Sequence, residues 1–166
     1  MTITLIGMPG CGKSCMGRAI SGKLKMKNID TDKYIEQKLG KKLHEIIEES
    51  GIEEFKKIEE ENLLQIKEDN VILSTGGSAV YYESVMNYYK SLGPVVYLYV
   101  SIDVLLERLG DFSKRGIVMR PGQSIHDLYD ERCALYEKYA DITINCDGKS
   151  YPKYQAELIK AINKLK

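Results

Sequence analysis

Five short runs of β-branched and apolar residues punctuate the chain at 2–6, 28–30, 71–74, 95–100 and 142–145. Each is too short for a stable helix and reads as a strand. Between them the apolar positions recur at three- and four-residue spacing, predicting helices over 14–25, 34–49, 53–67, 79–89, 102–109, 125–139 and 151–165. Parallel strands need crossover connections, so this alternation predicts an α/β domain with a mainly parallel sheet. The segment 110–123 follows neither period and is rich in Gly, Pro and charge. It is longer than an ordinary connection and reads as a loop of the kind that closes over a site, with a surface excursion as the alternative.

A chain of 166 residues is the size of one domain, and we expect a single compact unit over 1–166. Twenty-four Lys and Arg are cancelled by twenty-four Asp and Glu. A protein built to bind nucleic acid or an anionic membrane surface carries a basic surplus, so neither partner is expected. The four cysteines, Cys11, Cys15, Cys133 and Cys146, show no C-x-x-C spacing, and two histidines are too few for a zinc motif. The first residues lack a basic stretch followed by a long apolar one, and no run approaches membrane-spanning length. The expectation is a cytoplasmic monomer with free thiols.

The sharpest local signal is Gly7-Met8-Pro9-Gly10-Cys11-Gly12-Lys13-Ser14, which matches G-x-x-x-x-G-K-[ST]. It follows a predicted strand and opens a predicted helix, the context in which the motif works. Backbone N–H groups of such a loop wrap phosphates, the helix N-terminus adds partial positive charge, Lys13 reaches the β- and γ-phosphates, and Ser14 ligates Mg²⁺. Cys11 and Cys15 lie within it as small side chains. A base-reading N/T-K-x-D motif is absent, which disfavours a GTPase, and one domain is small for a motor or transporter ATPase. The economical reading is a small-molecule kinase.

Asp30-Thr31-Asp32 stands at the end of the second predicted strand, and with the phosphate loop it resembles the shikimate kinases of the nucleoside-monophosphate-kinase-like P-loop group. The likeness continues through Gly51-Ile52-Glu53-Glu54-Phe55-Lys56-Lys57-Ile58-Glu59, Ser74-Thr75-Gly76-Gly77-Ser78-Ala79-Val80, Arg120-Pro121, and the run from Arg132 through Tyr136 to Ala140-Asp141. It implies a P-loop kinase fold, a five-stranded parallel sheet in the order 2-3-1-4-5, a substrate subdomain near 31–60 and a lid near 110–123. The implied activity is transfer of phosphate from ATP to a hydroxyl of shikimate in aromatic amino-acid biosynthesis. By the same resemblance Asp32 contacts the acceptor hydroxyl as base or orienting group, and Asp30 joins Ser14 in holding Mg²⁺. Arg132 grips the acceptor carboxylate with Lys56, beside Gly76 and Gly77. Lys13 and Arg120 stabilise the transferring phosphoryl group, Arg108 stacks on adenine beside the loop at 145–148, and Gly10, Cys11, Gly12 and Cys15 complete the nucleotide cradle.

The residues allow simpler jobs as well. Asp32 precedes a helical run and suits an N-cap. In an extended strand end, Asp30 and Asp32 point to opposite sides, one toward metal and one toward acceptor. Arg132 has acidic neighbours for an ordinary helical salt bridge, and Glu59 either pairs with Lys56 or orients a substrate-gripping side chain. His44 and His126 read as surface residues. The acid-rich stretch 45–61 and the basic segment 149–166 read as solvated faces.

Three departures bear on the acceptor. Lys56 stands where the family has an arginine, and an ammonium does not make the planar two-pronged contact of a guanidinium. Ser78 replaces the last glycine of a triplet, and the stretch between Arg108 and Arg120 is longer than the family's, with Gly122-Gln123 after Arg-Pro. A gluconate-type sugar-acid kinase and a nucleotide-binding regulatory protein without catalysis are the alternatives.

Overall fold

The computed structural model describes residues 1–110, 117 and 119–165. Five strands, β1 (Ile3–Ile6), β2 (Lys27–Asp30), β3 (Val71–Ser74), β4 (Val95–Tyr99) and β5 (Ile142–Asn145), form one sheet in the order β2-β3-β1-β4-β5. All four pairings are parallel. β1 and β3 are buried along their whole length, as a sheet covered on both faces requires, and this explains why apolar residues predominate in both, with Thr4 and Ser74 the exceptions.

The covering layers are α1 (Lys13–Leu24), α2 (Thr31–Leu39), α3 (Leu43–Ser50), α4 (Ile52–Leu64), α5 (Glu83–Leu92), α6 (Ile102–Leu109), α7 (Ile125–Tyr139) and α8 (Tyr151–Asn163). One core cluster joins β1 and β4 to α1, α7 and α8 through residues such as Met16, Ile20, Tyr136 and Leu158. The other joins β3 to α2, α4 and α5 through Ile35, Leu63, Val85 and Tyr89.

The helix expected over 34–49 is two helices. Gly40 adopts a left-handed conformation (φ 70°) and its N–H closes on the Glu36 carbonyl at 2.9 Å, ending α2. That left-handed turn favours glycine, which has no Cβ to strain it. The helix expected over 79–89 is likewise a 3₁₀ turn, Ala79–Tyr81, followed by α5, because Tyr82 is extended between them. Residues 31–60, the expected substrate subdomain, form α2, α3 and most of α4. The lid expected over 110–123 falls partly on residues 111–116 and 118, which lie outside the described residues. Among the described residues no helix is long and apolar enough to cross a membrane.

Candidate active site

Parallel strands deliver all their carboxyl ends to one edge, and ligands of such sheets bind there. The chain after β1 is the phosphate loop, the chain after β2 begins α2, and the chain after β3 runs through Thr75, Gly76, Gly77 and Ser78. These converge on a cleft of about 740 Å³ lined by Gly10, Gly12, Lys13, Ser14, Cys15, Asp30, Asp32, Glu59, Gly76, Gly77 and Arg132. Most of the residues expected at a site from sequence therefore face one space.

The Lys13 ammonium is held against its own loop, donating to the Gly7 carbonyl at 2.6 Å and the Met8 carbonyl at 2.9 Å. Ser14 donates its hydroxyl proton to Asp30 Oδ2 at 2.7 Å, and Asp30 Oδ1 accepts from the Lys33 N–H at 3.3 Å. Asp30, rather than Asp32, is thus the N-cap of α2. The two aspartates do not diverge by strand alternation: α2 begins at Thr31, and Asp32 lies in its first turn.

Burial is the main cause that pushes Asp32 up to about 7, with the negative charges of Glu59 and Asp30 adding to it and Lys13 opposing. Its proton affinity is accordingly suited to accepting a proton near neutrality. Gly76 explains how close the backbone comes, since a Cβ there would meet Asp32 Oδ1 at 2.6 Å. At Gly77 a Cβ would meet Arg132 Nη1 at 2.8 Å.

Arg132 is 2% exposed, which removes the expected alternative of a solvated helical salt bridge. Its guanidinium faces the Tyr81 ring at 5.5 Å, and its charge acts on Glu59. Glu59 is also 2% exposed and accepts from Ser78 Oγ and Tyr82 Oη. Burial raises its proton affinity, while those two hydroxyls and Arg132 lower it. Lys56 is paired with Glu53 at 3.2 Å instead of Glu59.

A second cavity of about 400 Å³ adjoins the first, sharing Phe55, Glu59, Ser78 and Arg132, and it adds Lys56 and Arg120. Arg120 is exposed and bonded to Glu131 at 2.7 Å. The structure therefore does not bring it to Lys13. Arg108 is exposed at the end of α6 and lines neither cavity. The loop at 145–148 is anchored by Asp147, which accepts from the Ser101 N–H at 3.1 Å. Cys11 is a buried side chain beneath the phosphate loop, whereas Cys15 is exposed and faces the cleft.

Some lining residues were not singled out in the sequence as site residues. His44 is exposed, as expected, yet it also lines the cleft with Glu36, Leu43 and Ile47. No motif marks them; the helical spacing of Leu43 and Ile47, with His44 beside them, gave the only signal. Among the described residues no group of three or more His, Cys, Asp or Glu is arranged for a metal. A magnesium site needs none, because Mg²⁺ takes one or two protein oxygens and fills the rest with water and phosphate. The paired hard oxygens of Ser14 and Asp30 fit that donor set.

The shikimate kinase family model matches residues 9–163. A shikimate kinase of Sulfurihydrogenibium sp. is 35% identical over 163 residues, 98% of each chain. The crystal structure of shikimate kinase from Aquifex aeolicus superposes with a TM-score of 0.86 at 32% identity, covering 98% of this chain and 96% of that one. The shikimate kinase from Acinetobacter baumannii in complex with shikimate gives 0.88 at 29% identity, over 99% and 94%.

Proposed function

The chain belongs to the shikimate kinase family, and on that premise we propose that it transfers the γ-phosphoryl group of ATP to the 3-hydroxyl of shikimate, releasing ADP and shikimate 3-phosphate. The observation that carries this reading is the single cleft in which Lys13, Asp32 and Arg132 meet. A phosphate-binding cation, a carboxylate base and a buried guanidinium are the parts that such a transfer requires.

The acceptor oxygen forms a bond to the γ-phosphorus while the bond from that phosphorus to the ADP oxygen breaks. The hydroxyl proton passes to an oxygen of Asp32, which its raised proton affinity favours. Because the transition state is loose, most of the work is positioning and neutralising charge. Lys13 exchanges the Gly7 and Met8 carbonyls for phosphate oxygens, and the backbone of Gly10, Cys11, Gly12 and Cys15 cradles the nucleotide. Ser14 and Asp30 would hold Mg²⁺, which when bound neutralises phosphate charge. Arg132 binds the acceptor carboxylate beside Gly76 and Gly77, and Lys56 adds charge without a two-pronged contact. Arg120 joins the transferring group by leaving Glu131, and Arg108 flanks the adenine.

ADP release coupled to a visible readout, measured across shikimate, quinate and gluconate, tests this. The highest kcat/KM is expected with shikimate. Preference for gluconate would replace the acceptor assignment, and no turnover with any of the three would overturn the kinase reading.

A further inference from the structure

The Gly76-Gly77 strap runs directly into Ser78, whose hydroxyl faces both oxygens of Glu59, at 2.9 and 3.0 Å. Four residues later Tyr82 Oη donates to Glu59 Oε2 at 2.6 Å. Between them Tyr81 sets its ring against Arg132 at 5.5 Å. One short turn therefore holds both members of a buried carboxylate and guanidinium pair, each 2% exposed. Neither Ser78 nor Tyr82 has a task in the phosphoryl transfer described above.

A carboxylate removed from water keeps its place and its charge only where donors replace the lost solvent. Lys56 is near enough in sequence to serve, three residues before Glu59 on the same helix and lining the same second cavity. Its ammonium is paired outward with Glu53. Ser78 and Tyr82 donate to Glu59 through their hydroxyls, and both belong to the segment that also carries Gly76 and Gly77 past Asp32 and Arg132.

We propose that Ser78 and Tyr82 are positioning residues for acceptor binding: by gripping Glu59 they fix Arg132 and the Gly76-Gly77 strap at the spacing that an acceptor carboxylate needs. This rests on the assignment of Arg132 to that carboxylate. Ser78 ties the strap to α4, and Tyr82 anchors the far end of the same turn. Their effect falls on acceptor affinity rather than on the nucleotide, whose cradle is built from the loop after β1.

Ser78→Ala and Tyr82→Phe each delete one hydroxyl with little change in shape. The measurements are steady-state kinetics with shikimate and ATP, equilibrium shikimate binding followed by the fluorescence of the protein's tyrosines, and thermal unfolding. Each variant is expected to raise the shikimate KM and Kd about fivefold, while kcat and the ATP KM stay within about twofold. Ser78→Thr retains the donor and should bind shikimate like the wild type. Lower unfolding temperatures with unchanged shikimate affinity would make the bonds merely structural and overturn the proposal, as would equal losses for shikimate and ATP. A wild-type protein that turns over shikimate while Ser78→Ala and Tyr82→Phe bind it normally refutes the proposal alone. A wild type that does not bind shikimate refutes the acceptor assignment first and the proposal with it.

Discussion

Arg120 is bonded at 2.7 Å to Glu131, the residue immediately before Arg132. The cation assigned to the phosphoryl group is thus tethered one residue from the cation assigned to the acceptor carboxylate. Gln123 reinforces the tether, donating to the same Glu131 oxygen at 2.7 Å. On that assignment Glu131 would compete with the phosphoryl group for Arg120. Arg120→Ala should lower kcat about a hundredfold or more and leave shikimate binding within about twofold. Glu131→Gln should raise kcat/KM for ATP severalfold at most, since an exposed pair is worth under about 1 kcal/mol. Stopped-flow and equilibrium titrations separate the two effects.

Asp30 has two jobs that different substitutions separate. It caps α2 through Oδ1 and meets Ser14 through Oδ2. Asp30→Asn keeps a capping oxygen, so its thermal stability should remain close to wild type while Mg²⁺-dependent turnover falls steeply. Asp30→Ala should lose the cap as well, at about 1 kcal/mol. Denaturant titration beside a magnesium titration of activity checks both.

Asp32 is a stability cost with a defined sign. Its folded value near 7 lies above the ordinary 3.8, so across that interval the folded chain retains a proton that the unfolded chain has released. Stability is therefore lost as pH rises through the interval. Asp32→Asn removes the ionisation, so its melting temperature relative to wild type should climb between about pH 4 and pH 7 and level off above that. The same variant should lose at least about a hundredfold in kcat with ATP affinity little changed. Parallel melts across this range decide the first point, and nucleotide titration decides the second.

Gly77→Ala tests the close approach of the strap. The new methyl would stand 2.8 Å from Arg132 Nη1 and 2.9 Å from Pro9 Cδ. Displacing the guanidinium should raise the shikimate KM about tenfold, with a smaller effect on the ATP KM. Comparable increases for both substrates would show that Pro9 and the phosphate loop yield instead.

The parts of the site that sequence disclosed are those in which chemistry and spacing coincide along the chain. Lys13 and Ser14 stand at fixed offsets in a loop whose function depends on those offsets, and Asp30 ends a strand with Asp32 in the first turn of the helix that follows. The central strands β1, β3 and β4 were legible because strands covered on both faces need mostly apolar runs, whereas the edge strands β2 and β5 carry polar residues and stood out mainly by their place between helical segments. What escaped depends on contacts between distant segments. Glu59 had Lys56 as its evident partner one helical turn away, but its bonds go to Ser78 and Tyr82 on another element. For Arg132 the neighbouring residues offered a helical salt bridge and only the family resemblance pointed to the site; its packing against Tyr81 and Gly77 is not written in the local sequence. His44 reaches the cleft only because Gly40 divides α2 from α3, and an uninterrupted helical pattern conceals that break.

The register of β2 on β3 pairs Asp30 with Ser74, and Ser74 in turn pairs with Leu5 of β1. Ser74 also donates its hydroxyl proton to the Lys13 carbonyl at 3.2 Å, joining this row to the start of α1. A slip of one residue at β2 would reverse the faces of its side chains and carry Asp30 away from Ser14. β2 is an edge strand held on one side only. The pair proposed to hold Mg²⁺ is therefore completed only by the docking of that last strand: a chain whose β2 had slipped by one residue would keep Ser14 in place and leave it without its carboxylate.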